Sequence, residues 1–257
     1  MQSFRTLPLI VLMLLFLHGC NTDGDSSNPA QTKPPAQPEN PAQPQNPAQP
    51  QNNSDDVPFE SDFISVKTQG TGPDVILIHG FASSSDVWSG VAKEIGPRFR
   101  LHLVSVAGLA GSAAAENVPE SYLETIRDEI ARYIEARKLK KPILIGHSMG
   151  GLLSLLISST EPSTVGRVII VDALPFFSLL FNPLATAELV LPQAKAFEKQ
   201  MVSLDDMQFE QQARSSASIL TKDDEKKDLI LKWSKESDRK AYAQILTEVL
   251  QIQVIPS

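Results

Sequence analysis

Four short apolar runs, each bounded by turn-forming residues, constrain the fold of this chain more than any other feature. They are "DVILI" from Asp74 to Ile78, "LHLVSV" from Leu101 to Val106, "PILI" from Pro142 to Ile145 and "RVIIV" from Arg167 to Val171. Runs this short and apolar on both faces read as buried strands of a parallel sheet. Helical patterns separate them. Val87 to Ile95 follows the cap residues Ser85 and Asp86, and Tyr122 to Lys138 repeats Leu123, Ile126, Ile130 and Ile134 at helical spacing. A third helix is expected from Met149 to about Ser159. Strands alternating with helices predict an α/β fold, a doubly wound, mainly parallel sheet that holds its ligands at the carboxyl ends of the strands.

Beyond Val171 the pattern changes. Residues 183–250 hold no convincing strand, only helix-type segments near 187–201, 205–219, 224–234 and 238–250. Phe197, Met201, Ile230, Trp233, Ile245 and Leu246 recur there at helical spacing and need something to cover. A helical segment of this length after a strand is expected to form a lid over the ligand edge of the sheet.

The chemistry centres on "GHSMG", Gly146 to Gly150, which fits G-x-S-x-G between an apolar strand and a helix. That context is the one in which a serine is raised on a strained strand-to-helix turn, with glycines admitting the close approach of strand and helix. Ser148 is therefore the candidate nucleophile. Upstream, "LIHGFASSSDVW" from Leu77 to Trp88 follows another strand. Gly80 there lets the backbone amide of Phe81 face a reacting carbonyl oxygen, and the amide of Met149 is the expected second donor. Two amides at the positive end of a helix would stabilise an oxyanion, commonly by about 3 kcal/mol per donor. On its own, His79-Gly80 would read as an ordinary strand-to-helix turn.

Together these residues resemble the α/β-hydrolase family, in its lid-bearing, esterase-like branch with HGF and GHSMGG signatures. "VSVAGLAGSA", Val104 to Ala113, stands where relatives often carry D-x-P-G-x-G-x-S, with Ala107 in place of the usual Pro, and "VIIVDALP" before the helical segment fits as well. The resemblance covers roughly Phe59 to the end. It implies a lid after the sixth strand and cleavage of an ester, thioester or related acyl bond in a small substrate through an acyl-enzyme. A serine at the elbow argues against the dehalogenase and epoxide hydrolase chemistries, where the family uses Asp.

The same resemblance implies triad partners in the order Ser, acid, His, the acid after strand seven and the histidine after strand eight. No histidine follows His147 in the 257 residues. "QIQVIPS" falls where relatives enter strand seven, and two further strands with their helices would need about fifty more residues. The last two strands thus read as missing and the chain as C-terminally incomplete. Of the histidines present, His18 lies in the leader and His102 inside a strand, where packing is expected. His147 should point away from Ser148, and His79 borders the oxyanion loop, near enough to be a candidate base. Asp172, ending "VIIVD", is a candidate acid or an aspartate satisfying loop amides at a strand end. The rival to a hydrolase is a non-catalytic, lipid-anchored binding or interaction protein that keeps the pocket.

The first 57 residues are of another kind. Residues 1–20 pair Arg5 with the apolar run Leu7 to Leu17, too short for the about 20 residues that span a bilayer, and read as a secretory signal. Leu17-His18-Gly19-Cys20 resembles the bacterial lipobox, which implies lipidation of Cys20, the only cysteine, and membrane attachment. Asn21 then implies the outer membrane where the cell has one; plain secretion or a periplasmic location is the alternative. Residues 21–57 carry eight of the 19 prolines and a tandem "NPAQPQ", a disordered tether that at about 3.1 Å per residue reaches up to roughly 110 Å. Residues 58–257 form the hydrolase-like domain, with a core to 182 and the lid from 183 to 250. Without Arg5, the 23 basic side chains fall to 22 against 30 acidic ones. The resulting charge of about −8 argues against a nucleic-acid footprint, which would be basic and clustered. No His/Cys/Asp cluster has metal-ligand spacing, so neither metal nor organic cofactor is expected.

Overall fold

The computed structural model describes residues 59–254. The signal, Cys20 and the tether lie outside them. Five strands form one sheet in the order β1-β3-β2-β4-β5: β1 (Ile64–Gln69), β2 (Asp74–Ile78), β3 (Arg100–Val106), β4 (Ile143–His147) and β5 (Arg167–Val171). The four expected strands are there and mutually parallel, while β1 adds an antiparallel edge, with Ile64 opposite Val106. β1 escapes a search for runs buried on both faces because it alternates: Ile64 and Val66 turn inward while Ser65 and Lys67 do not.

Residue parity divides the sheet into two apolar faces. On one, Ile76, Ile78, Val104, Val106 and Leu144 pack beneath α2 (Tyr122–Ala136) and α3 (Met149–Thr160). On the other, Val75, Leu77, Leu101 and Leu103 meet Trp88, from a 3-10 turn, and Ala92 of α1 (Ser89–Ile95). Ile143 and Ile145 continue this second face half-buried, and on β5 it opens: Ile169 is 47% and Val171 40% exposed. Helix α2 stops two residues before Lys138, whose left-handed backbone (φ 51) lets Leu139 N–H donate to the Ile134 carbonyl at 3.0 Å.

The C-terminal segment folds as α4 (Ala187–Ser203), α5 (Asp206–Leu220), α6 (Asp224–Lys235) and α7 (Arg239–Gln251). Each begins with a side chain that accepts a backbone N–H, from Thr186, Asp205, Asp223 and Asp238, and Asp205 with Gln208 completes a capping box. The segment follows the fifth strand of the chain, where the family count gives the sixth. It is also not uniform, since Ala241, Ala243 and Ile245 of α7 are wholly buried in the principal core. Within the residues 183–250 expected as a lid, α7 thus gives most of its buried side chains to the principal core, which Met201 of α4 and Phe209 of α5 also join.

One carboxylate fastens that helix. Glu248 of α7 accepts from Ser121 Oγ (2.9 Å), Tyr122 N–H (2.9 Å) and Leu123 N–H (2.8 Å), capping α2 across the tertiary structure. The amides at a helix start lack intrahelical acceptors, and a negative charge suits that end. Glu248→Ala leaves these buried donors unpaired and is expected to cost about 3 kcal/mol in urea unfolding, with Glu248→Gln intermediate.

Candidate active site

Ser148 joins β4 to α3 at φ 52 and ψ −118, a conformation that an L-residue holds only when its surroundings impose it. The imposition is backbone packing. A Cβ on Gly146 would collide with the Gly150 carbonyl, and one on Gly150 with the Ile78 carbonyl at the end of β2. The start of α3 thus lies directly on the ends of β2 and β4. Ser148 N–H donates to the Val171 carbonyl of β5 (2.9 Å), and the Ser148 carbonyl accepts from Leu152 as the first turn of α3 begins.

The same packing brings up the loop after β2. A Cβ on Gly80 would lie 2.8 Å from His147 Nδ1 and 3.3 Å from Ser148 Cβ. Phe81 follows immediately and is half-buried. Met149 opens α3, so its N–H has no acceptor within the helix. Ser148, Phe81 and Met149 are thereby gathered at the carboxyl edge of the sheet. Asp172 stands beside them, one residue beyond the Val171–His147 pair, exposed and with a left-handed backbone at φ 50.

The histidines divide by place. His79 is buried, its Nδ1–H donating to the Gly80 carbonyl (2.8 Å) while Nε2 accepts from Val106 N–H (3.2 Å). With both nitrogens engaged it is a neutral brace of the loop, and no lone pair is left for Ser148. Burial holds its pKa down at about 4 against the opposing pull of the Gly80 carbonyl. His147 is half-buried against Gly80, its Nδ1 enclosed without a hydrogen-bond partner. Burial lowers its proton affinity and the charge of Asp172 offsets part of that. His102 is buried between Tyr133 (2.7 Å) and Asp74 (2.9 Å) at the amino end of the strands. A shallow cleft of about 300 Å³ at that end, lined by Asp74, Lys140, Lys141 and Arg167, is likewise remote from the elbow. Among the described residues no group of three or more His, Cys, Asp or Glu is arranged to hold a metal, and no helix is long and apolar enough to cross a membrane.

Contacts from the C-terminal helices complete the edge. The loop after β3 is tied to the α6–α7 junction by Asp238 N–H to Gly108 O (2.8 Å), Gly111 N–H to Glu236 O (3.1 Å) and Ala110 N–H to Ser237 Oγ (2.9 Å). Tyr242 of α7 packs on Phe81 with ring centroids 4.4 Å apart. Neither contact has a sequence signal, because the partners are more than a hundred residues apart.

A three-layer α/β domain with a strained serine between a central strand and a glycine-flanked helix, and helices over the adjoining edge, defines a hydrolase-type fold. The chain belongs to the alpha/beta hydrolase fold family, whose model matches residues 73–240. A pimeloyl-[acyl-carrier protein] methyl ester esterase of Aeromonas salmonicida (strain A449) is 33% identical over 114 residues, 44% of this chain and 43% of the relative. The match therefore spans less than half the length of that relative. A thermophilic esterase from Thermogutta terrifontis superposes with TM-score 0.61 at 16% identity, over 74% of this chain and 68% of that one. A hydrolase from Pseudomonas aeruginosa PA01 gives 0.60 at 14% identity, over 74% and 69%. At such identities the structures attest the fold alone.

The buried His79 makes stability depend on pH. Its folded pKa of about 4 lies below the unfolded value of 6.5, so the unfolded chain takes up the proton first as pH falls. Its contribution, about 3 kcal/mol, is whole above pH 6.5 and is lost as pH drops towards 4. His79→Leu is expected to reduce the fall in unfolding free energy between pH 7 and pH 4.5, measured by urea titration at each pH.

Proposed function

We propose that this protein is a serine hydrolase that cleaves a small carboxylic ester, or a thioester or related acyl bond, through an acyl-enzyme on Ser148. The observation that carries the reading is the strained Ser148 turn held against the ends of β2 and β4. It leaves the Phe81 and Met149 amides to receive the oxyanion. A base would take the Ser148 Oγ proton as oxygen attacks the carbonyl carbon, then return it to the departing alcohol or thiol. Water would release the acid by the same path.

His79 is fully engaged, His147 has its Nδ1 enclosed against Gly80, and His102 lies at the amino end of the strands. The base is accordingly assigned to a segment additional to these 257 residues, with Asp172 as the candidate acid beside the elbow. The open apolar strip of Ile145, Ile169 and Val171 supports further chain packing on β4 and β5. That the matched relative is a methyl ester esterase favours an ester over other acyl bonds. Product of the full reading frame is expected to hydrolyse p-nitrophenyl butyrate and to be labelled by a fluorophosphonate, with Ser148→Ala losing at least about 10³-fold. The 257-residue chain alone should turn over at least about 10³-fold more slowly. Absence of labelling and turnover from the full-frame protein would instead favour a binding protein that retains the pocket.

The proposal extends to location: an extracytoplasmic domain held to a membrane by acyl chains on Cys20 and set off from it by the Pro/Gln/Asn-rich tether. Mass spectrometry of the protein isolated from membranes should find residue 20 as the acylated N-terminus. An unmodified Cys20 would remove the anchor.

A further inference from the structure

We infer that Tyr242 is a positioning residue for the oxyanion loop, its ring fixing Phe81 and, through Phe81, the backbone amide read above as an oxyanion donor. The inference rests on that reading of the loop. The loop needs an external support, because Gly80 to Ser84 has no regular secondary structure and Ala82 is held at φ 49, outside the usual range of an alanine. His79 braces it on one side through Val106. On the other side the contact is Tyr242, at 4.4 Å between centroids with the rings inclined at 57°.

Tyr242 suits this role because it is itself immobilised. It is 5% exposed, its second neighbour is Phe209 of α5, edge-on at 5.3 Å, and Arg239 lies 4.0 Å over the Phe209 ring. Its hydroxyl bonds to Ser234, and burial pushes the phenol pKa up to about 12, so the ring stays neutral. The helix that carries it is pinned at its start by the Asp238–Gly108 bond and along its length by Glu248. A continuous line of fixed groups thus runs from the loop after β3, through α7, to the side chain beside the donor amide. Donor placement matters at the scale of a single ångström, where misplacement costs about 10²-fold in rate.

The test uses protein labelled with ¹⁵N-phenylalanine, the Phe81 signal being identified by its loss in Phe81→Leu. The Phe81 amide is expected to be as ordered as those of Phe63 and Phe99, with an order parameter near about 0.85, in both the native protein and Tyr242→Phe, which keeps the ring. In Tyr242→Leu it should fall below about 0.6 while Phe63 and Phe99 hold. Should Tyr242→Leu fail to fold, Phe209→Leu, which loosens Tyr242 from its far side, is expected to shift Phe81 in the same direction. An unchanged Phe81 order parameter in a folded variant overturns the inference. In the full-frame enzyme, Tyr242→Leu is expected to lower kcat about 10- to 100-fold with KM within about twofold, and Tyr242→Phe to restore it. An unlabelled Ser148 would refute the hydrolase reading while leaving the Phe81 measurement to decide this one.

Discussion

The site depends on backbone meeting backbone where Gly146, Gly150 and the end of β2 converge. With no side chains at these glycines, the Gly150 carbonyl lies against Gly146 and Gly150 itself lies against the Ile78 carbonyl. That proximity holds Ser148 in a left-handed turn and brings the Gly80 loop against its Cβ. A methyl group at either elbow glycine would push the helix from the strands and separate Ser148 from the Gly80 loop. Strain at one residue is thus supported by close packing over the whole central sheet.

Much of this was readable from sequence because its causes are local. Apolar runs locate β2 to β5, caps and periodicity locate the helices to within a few residues, and the glycines around Ser148 declare the turn. β1 was not readable as a two-faced strand: its Lys67 and Gln69 face outward, and its position follows from pairing with β3. Nor was the division of the C-terminal helices. The amphipathic patterns of α4 to α7 look alike, and only tertiary packing makes α7 part of the core.

The histidines show the same limit. Sequence could note that His79 borders the loop, but the Val106 amide that occupies its second nitrogen comes from a neighbouring strand 27 residues later. That bond, with burial, converts the His79 imidazole from a candidate base into a neutral strut. The packing of Tyr242 on Phe81 is equally invisible, since an aromatic residue on an amphipathic helix has no mark of the loop it will touch. Local chemistry singled out Ser148; distant contacts decide how the residues around it are placed.

The Glu248 cap also imposes an order on the making of the domain. Its carboxylate answers amides 125 and 126 residues earlier in the chain, so α2 can be synthesised in full, with its first turn still lacking those partners, until α7 has followed. Such a distant closure delays final packing. Until then the apolar face of α2, with Leu123, Ile126 and Ile130, awaits the helix that helps to cover it. The growing chain therefore passes through a period of vulnerability to misassembly before its first half acquires a native environment.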